Sequence, residues 1–519
     1  MEKGNRRAAL RDMLPEGMAF LCAVLMLVAL PLIFHDAFFD INRIKVRVVI
    51  TLAPPLAMLY LLAGALRGGC LRRCGGADAP AAAMALLLLV CTVSCAGAGF
   101  APSTLDGSDG RYCGLWFLLS CGAAFYAMGF GLRRMKLLTW LMIVSATLCA
   151  ALGVVNAMGM DPLGFYTRIR AGQEQIFLST IGNFDFFGTY LVLLLPVCAA
   201  RFVFGQRPAE CAAGALCSAV VALGAAVSRT DCAALGVHLV FFVLLLLSGD
   251  SLAQMARVLL LWAICTLALP LAGILLADSP FHPAFTGLAR FLSESPLTLV
   301  LSLLLALAGV AALLMGRRGG RAPGRRRLMI LGCALAALAA ALLLAAILFF
   351  TLAEPQRELG ALSDILRFDD SWGSRRGFVY TRALRAFADY SPKEKLIGRG
   401  LEQALAAMRP YFDNPAMLSD GVYNDAHCQP LQFLLNCGIL GAVAFVAFYL
   451  VTVVTVLRHM GSDPLLMSLF VSMAAYSLIM LLNVTQPILI ATYMSLCALA
   501  LARIRALTIL QDAWEEEGT

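Results

Sequence analysis

The chain has 519 residues, of which 61% are hydrophobic and only 14% are charged. A mean hydropathy of +0.83 excludes an ordinary soluble domain, since such domains carry about 25% charged residues. The formal net charge of +8 comes mostly from short connections between apolar segments, so it does not indicate nucleic-acid binding. The composition predicts an all-α polytopic membrane protein, because helices satisfy their own backbone hydrogen bonds in lipid.

Fourteen apolar segments have the length of about 20 residues that a helix needs to cross a bilayer. The pair near residues 219 and 240 is divided only by Ser228-Arg229-Thr230-Asp231. One helix over 211–248 would be about 57 Å long, so a hairpin or broken helix is predicted there and the expected total is about 12 to 14 transmembrane helices. The first segment is long and lacks a small-residue cleavage site, which predicts no cleavable signal peptide. The segments centre near residues 26, 57, 90, 122, 147, 195, 219, 240, 266, 306, 340, 443, 473 and 495.

The positions of Lys and Arg predict the orientation. Of the 40 such residues, 22 fall in connections on the same side as the N-terminus and 8 in short connections on the other side. Because positive charge is retained in the cytoplasm, both termini are predicted to be cytoplasmic. The predicted regions are a bundle of about eleven helices (1–352), a large extracytoplasmic loop (353–430), and the last three helices with a cytoplasmic tail (431–519).

The loop at 353–430 is the long polar stretch of this apolar chain, with ten Lys or Arg and eleven Asp or Glu. Within it, residues 374–390 predict a short amphipathic helix with Ser374 as its N-cap. Arg376 falls on the apolar face of this helix, whereas Arg375 faces water with Arg382, Arg385 and Asp389; the apolar face also carries Tyr380, Ala383, Leu384 and Phe387. Arg376 is expected either to hold an anion such as phosphate at the helix N-terminus, or to pair with Asp369 or Asp370, or to snorkel.

Two further outer segments offer cations. Arg229 lies between the apolar segments near 219 and 240, where it either helps to hold an anion or pairs with Asp231. Arg168 and Arg170 precede the amide of Asn183 in the preceding outer connection. Three separate segments that each present an arginine would together match a diphosphate.

His427 lies where the loop re-enters the membrane, just before Pro430, which suits the first turn of the next helix. A histidine imidazole can accept a hydroxyl proton in a transfer reaction, although a boundary histidine hydrogen-bonded to the backbone is the alternative. The loop contains a single cysteine, Cys428, and the five histidines show no ligand spacing, so neither a disulfide framework nor a metal site is predicted.

Five short motifs resemble, in order, those of the bacterial O-antigen ligases and O-antigen polymerases. The resemblance spans about residues 165–460, with Cys428 standing where the family usually has Asn and Tyr380 where it often has Trp. The motifs are Ser179-Thr180-Ile181-Gly182-Asn183-Phe184, Ser228-Arg229, Ser374-Arg375-Arg376-Gly377-Phe378-Val379-Tyr380, Ile397-Gly398-Arg399-Gly400, and His427 followed by Leu431-Gln432 and Cys437-Gly438-Ile439-Leu440-Gly441.

This resemblance implies a transferase without metal or other cofactor in the bacterial cytoplasmic membrane. Its donor would be a glycan on undecaprenyl pyrophosphate at the outer leaflet, and its acceptor a glycan, lipid or protein hydroxyl. His427 would be the general base, and Arg376 and Arg229 would hold the diphosphate, with Arg168 or Arg170 assisting. Asn183, Tyr380 and Gln432 are expected to support the site. A lipid-linked glycan flippase or exporter and an inactive envelope scaffold are the alternatives, although the apolar segments lack the basic lining expected of an exporter.

Overall fold

The structure, a computed structural model, describes residues 2–35, 38, 40–66, 75–107, 110–169, 173–279, 285, 287–412, 425–483 and 486–518. The chain is 80% helical. The longer helices are α1 (Glu2–Val24), α2 (Ile41–Leu66), α3 (Ala79–Gly97), α4 (Leu115–Gly131), α5 (Met135–Ala157), α6 (Phe184–Val203), α7 (Pro208–Val227), α8 (Asp231–Leu247), α9 (Leu252–Thr266), α10 (Ala268–Leu276), α11 (Gly287–Glu294), α12 (Pro296–Arg317), α13 (Arg325–Leu348), α14 (Trp372–Ala388), α15 (Pro392–Ile397), α16 (Ala404–Met408), α17 (Gln429–His459), α18 (Pro464–Ile479) and α19 (Pro487–Gly518).

Short elements complete the fold. The strands β1 (Phe177–Leu178) and β2 (Gly182–Asn183) pair antiparallel in a small hairpin ahead of α6. The α1 helix continues through a π-turn (Leu25–Ala29), and α13 ends in another (Phe349–Ala353). The remaining short helices are Leu30–Leu32, Gly75–Asp78, Pro102–Leu105, Phe165–Arg168, Glu174–Ile176, Gly360–Leu362, Ser363–Leu366 and Arg409–Tyr411.

The predicted all-α membrane architecture is confirmed. Within the described residues, 11 helices are long and apolar enough to cross a membrane. The predicted break near residue 229 is also present, because α7 and α8 are separate helices. Each of the fourteen predicted segments coincides with an apolar helix, but α4, α8 and α18 have only 16 or 17 residues. The count of fourteen crossings and the outer position of the 353–430 loop therefore stay predictions.

The helices differ greatly in burial. In α6 and α19 the most apolar window is 83% and 89% buried, whereas in α12 and α13 it is 17% and 0% buried. Small residues let α6 pack closely on its neighbours: a Cβ at Gly188 would lie 2.5 Å from the Ser228 hydroxyl. Lipid tails are as apolar as leucine, so α12 and α13 can remain exposed to them at the edge of the bundle. The core is therefore built around α6 and α19.

The polar segment between α13 and α17 is anchored on the bundle by glycine contacts. Gly398 has φ +75°, and a Cβ there would lie 2.1 Å from the Asn436 carbonyl oxygen of α17. Gly438 interrupts α17 with φ +67°, and a Cβ there would lie 2.5 Å from the Leu396 carbonyl. The Asn436 side chain accepts the Ala404 N–H at 2.9 Å and so attaches the start of α16 as well. The motifs that contain Gly398 and Gly438 thus contact each other, and glycine is required because a side chain would prevent the two backbones from approaching this closely.

Candidate functional site

His427 lies in a tight turn whose geometry is set by buried charges. It has φ +49°, a left-handed conformation that costs a non-glycine residue about 1–2 kcal/mol. Its backbone N–H donates to Asp425 Oδ1 at 2.8 Å, and its Nε2 lies 3.9 Å from the same oxygen. Asp425 in turn forms an ion pair with Arg111, and the two side chains are only 1% and 3% exposed. The carboxylate therefore holds the histidine turn while the arginine compensates its buried charge.

The start of α17 fixes the other side of this turn. The buried Gln432 side chain accepts the Ala426 N–H at 2.9 Å, and Pro430 occupies the first helical turn, as predicted. Gln429 donates to the Tyr476 hydroxyl at 2.6 Å, which ties the start of α17 to α18. Gln432 thus supports the backbone beside His427. The imidazole as a whole is 24% exposed, whereas its Nε2 atom is buried.

Tyr380 and Arg376 lie one helical turn apart on α14, and both contact the segment that follows α18. Tyr380 also contacts the turn that contains His427. The Tyr380 hydroxyl donates to the Leu481 carbonyl at 2.6 Å and lies 3.2 Å from the His427 carbonyl. Burial raises the pKa of Tyr380, so its hydroxyl keeps its proton and remains a donor. Arg376 donates through Nε to the Leu482 carbonyl at 2.5 Å and through Nη1 to the Gly373 carbonyl at 2.6 Å.

These contacts position Arg376 and use only part of its hydrogen-bond donor capacity. A guanidinium carries five N–H donors, and the two bonds to backbone carbonyls leave three. The anticipated pairing with Asp369 or Asp370 does not occur: Asp369 accepts from Ser371 at 2.9 and 2.7 Å, and Asp370 binds Arg382 at 2.5 Å. Arg376 also lies within electrostatic range of Asp185 at the start of α6. The face of α14 that carries Arg376 is therefore near the start of α6.

The structure corrects two details of the predicted amphipathic helix. Ser374 is not its N-cap, since Gly373, Ser374 and Arg375 are left-handed with φ between 59° and 70°, and the continuous right-handed part of α14 follows Arg375. Arg382, predicted to face water, is only 8% exposed, because it stacks on the Phe378 ring at 3.8 Å and pairs with Asp370. The predicted distinction between an exposed Arg375 and a half-buried Arg376 is confirmed.

Arg229 is positioned between α7 and α8 by a left-handed backbone with φ +60°. The residue is 8% exposed, and its guanidinium donates through Nη2 to the Gln175 carbonyl at 2.9 Å. Burial lowers the pKa of Arg229 to about 10, which leaves it charged at neutral pH. Asp231, its predicted alternative partner, accepts the Ala289 N–H at the start of α11.

Three predicted site residues remain. Asn183 has a structural role, and the side chains of Arg168 and Arg170 are not described. Asn183 is the N-cap of α6, since its side-chain oxygen accepts the Asp185 N–H at 2.8 Å. Arg168 ends a short 3-10 helix, but the position of its side chain lies outside the description, and Arg170 lies outside the described residues altogether. Asn183 thus caps the N-terminus of α6.

Left-handed residues concentrate in the motif segments. Eight described residues other than glycine have positive φ, and five of them fall in those segments: Ser179, Arg229, Ser374, Arg375 and His427. Such conformations persist only where the surrounding structure imposes them, and they are commonest at functional sites. Arg229 and His427 themselves are held in this way, and Arg376 directly follows a run of such residues.

Sequence reasoning missed the Arg111–Asp425 pair and the carbonyls of Leu481 and Leu482. The two charged residues are 314 positions apart and the carbonyls carry no side-chain signal, so local patterns could not connect them to His427. One signal was present in the sequence, because Asp425 is an acidic residue only two positions before His427. Acidic residues are rarely buried without a partner, so a buried Asp425 would require a cation elsewhere in the chain. Among the described residues, no three His, Cys, Asp or Glu side chains come together as a metal site would require.

Residues 283–446 match a protein family described as O-antigen ligase. The match covers 164 of the 519 residues and contains Arg376, Tyr380, His427 and Gln432, whereas Arg229 and Asn183 precede it. No curated protein was found to match the chain. The matched region contains the whole polar segment between α13 and α17 together with the first half of α17.

Proposed function

Because residues 283–446 belong to the O-antigen ligase family, we propose that this membrane enzyme transfers a glycan from undecaprenyl pyrophosphate to an acceptor hydroxyl. The observation that carries the proposal is the junction of His427, Tyr380 and Arg376 at the start of α17, with an ion pair buried behind it. A proton acceptor and a cation with unused donors, connected through Tyr380 and the adjacent carbonyls of Leu481 and Leu482, suit a displacement that releases a diphosphate.

In the proposed reaction, His427 takes the proton of the acceptor hydroxyl. The acceptor oxygen then attacks the anomeric carbon, and the bond from that carbon to the diphosphate oxygen breaks with its electron pair leaving on the diphosphate. Arg376 and Arg229 stabilise this charge, with Arg168 or Arg170 assisting from the connection ahead of α6. A single displacement inverts the anomeric configuration. The diphosphate leaving group supplies the driving force, so the proposal requires no metal or nucleotide.

Asp425 has a positioning role in this proposal. Its carboxylate holds the His427 N–H at 2.8 Å and lies 3.9 Å from the imidazole Nε2. When the imidazole gains a proton, the nearby negative charge stabilises the imidazolium that forms. Arg111 compensates the charge of Asp425, since the two buried side chains form an ion pair.

The proposal places the reaction at the outer face of the bacterial cytoplasmic membrane, with both termini inside. The distribution of Lys and Arg supports this orientation. A ligase moves a finished glycan to a glycan, lipid or protein, whereas a polymerase extends one lipid-linked chain with another. Both use the same site and differ in the acceptor.

Incubation of the purified protein with an undecaprenyl-pyrophosphate glycan tests the proposal. A ladder of products identifies a polymerase, and one new conjugate with a supplied acceptor identifies a ligase. Intact donor with every acceptor, together with movement of the donor across a vesicle membrane, would identify a flippase or exporter instead. Intact donor without movement would leave a scaffold.

Matched variants test the assigned residues. His427→Asn suits this position better than alanine, since asparagine tolerates the left-handed backbone, and His459→Asn at the far end of α17 is its control. Arg376→Gln is compared with Arg375→Gln, its exposed neighbour. We expect transfer to fall at least about 100-fold in the first variant of each pair, with unchanged protein yield. Full activity in His427→Asn and Arg376→Gln would overturn the assignment.

A further inference from the structure

A polar cavity lies at the end of the bundle opposite His427. It has a volume of about 460 Å³ and opens where α5 begins, α6 ends, α7 begins and α18 begins. The 20 residues of α6 separate it from the Asn183 end by roughly 30 Å. The distribution of Lys and Arg predicts that this end faces the cytoplasm. The proposed transfer reaction makes no use of it.

The cavity carries an excess of positive charge. Four cations line it, Lys136, Arg201, Arg207 and Arg503, against two acids, Glu210 and Asp463. The acids already have partners: Asp463 binds Arg503 at 2.6 Å and accepts the Leu466 N–H at the start of α18, and Glu210 lies 3.5 Å from Lys136. Arg201 and Arg207 therefore supply the net positive charge.

Arg201 is held in place by contacts that do not neutralise it. Its Nη2 donates to the Thr139 hydroxyl at 2.8 Å, and its guanidinium stacks over the Trp140 ring at 5.1 Å. Glu210 lies within electrostatic range of Arg201, but its ion-pair partner is Lys136. A half-buried arginine fixed against a ring, in a cavity with more cations than acids, favours an anion in the space before it.

From these observations we propose that the cavity binds a phosphate-bearing ligand at the membrane boundary. A phosphate monoester or diester offers acceptor oxygens that match the fork of Arg201, while Arg207 adds a second charge from the connection between α6 and α7. The apolar part of the lining, which includes Val197 and Leu465, accommodates the attached carbon chain. The headgroup of an anionic phospholipid and a soluble phosphate compound both have this chemistry.

The test uses the full-length protein in neutral detergent. In one arm, native mass spectrometry measures binding of phosphatidylglycerol against phosphatidylcholine. In the other arm, thermal unfolding is followed with inorganic phosphate added. Arg201→Gln and Arg207→Gln remove the two charges separately; Arg207 is exposed, so its replacement does not threaten folding. Arg290→Gln, an exposed arginine outside this cavity that is paired with Glu294, is the matched control.

We expect each cavity variant to weaken ligand binding about fivefold and the control to leave it unchanged. Weakened phosphatidylglycerol binding with no response to phosphate identifies a lipid headgroup as the ligand. Stabilisation by phosphate that is lost in the variants identifies a soluble compound. If neither arm distinguishes the cavity variants from wild type, the proposal is overturned. Glycan transfer by Arg207→Gln can be measured in parallel, which separates failure here from failure of the proposed function.

Discussion

Replacement of the buried Arg111–Asp425 pair separates its contribution to folding from its contribution to the reaction. Asp425→Leu removes the acceptor of the His427 N–H and leaves the charge of Arg111 buried. Arg111→Met leaves the carboxylate buried instead. The double variant removes both charges. The three variants and the wild type form a double-mutant cycle.

The expected magnitudes follow from the burial of the two side chains, which are 3% and 1% exposed. Removal of one partner of a buried ion pair costs about 3–5 kcal/mol, whereas replacement of both by apolar residues is often close to neutral. The double variant should therefore recover most of the stability lost in either single variant. Its transfer rate should stay about 10²–10⁴-fold below wild type, because the positioning of His427 is not restored.

Thermal unfolding in detergent measures the stability of the four proteins, and transfer from a lipid-linked glycan measures their rates. Asp425→Asn is a useful companion, since it keeps an acceptor for the His427 N–H while removing the charge. We expect it to transfer faster than Asp425→Leu. A double variant with the wild-type transfer rate would refute a positioning role for Asp425. Single variants as stable as wild type would refute the energetic argument.

Three further outcomes are expected. Gly398→Ala should lower the unfolding temperature and abolish transfer, because its Cβ would lie 2.1 Å from the Asn436 carbonyl; Gly360→Ala, with the same sign of φ but open space, is its control in the same thermal assay. Tyr380→Phe should cost about 0.5–1.5 kcal/mol through the lost bond to the Leu481 carbonyl, and should slow transfer while most of the protein stays folded. Lys45→Met should reduce stability by at least about 1–3 kcal/mol, since the buried Nζ donates to the carbonyls of Leu30, Pro31 and Ile33; equal stability of this variant would contradict that role.

The membrane architecture could be predicted from the sequence because it depends on local properties. An apolar helix satisfies its backbone within one segment, so hydropathy and length identified the long apolar helices of the described residues, including the division between α7 and α8. Helical periodicity also distinguished Arg376 from Arg375. It was wrong for Arg382, because a long-range partner and a neighbouring ring bury this residue.

The sequence predicted which residues form the candidate site, but it did not predict how those residues are arranged in space. The motifs identified His427 and Arg376 as candidate site residues. They also contained glycines, but the sequence did not show why glycine is required at those positions. The contact between Gly398 and α17 explains one of them, since its reason is a close approach of two backbones distant in sequence. The left-handed turn at His427 likewise requires a partner that local sequence does not specify.

Hydropathy and charge act within single segments, and these local properties are enough to specify a membrane bundle with one long polar segment that bears a histidine and several arginines. The ion pair of Arg111 with Asp425 beside His427, and the contacts of Tyr380 and Arg376 with the carbonyls of Leu481 and Leu482, become visible only in the folded chain. These relationships join residues about a hundred or more positions apart. They arise from packing and the pairing of buried charges, which depend on which helices become neighbours.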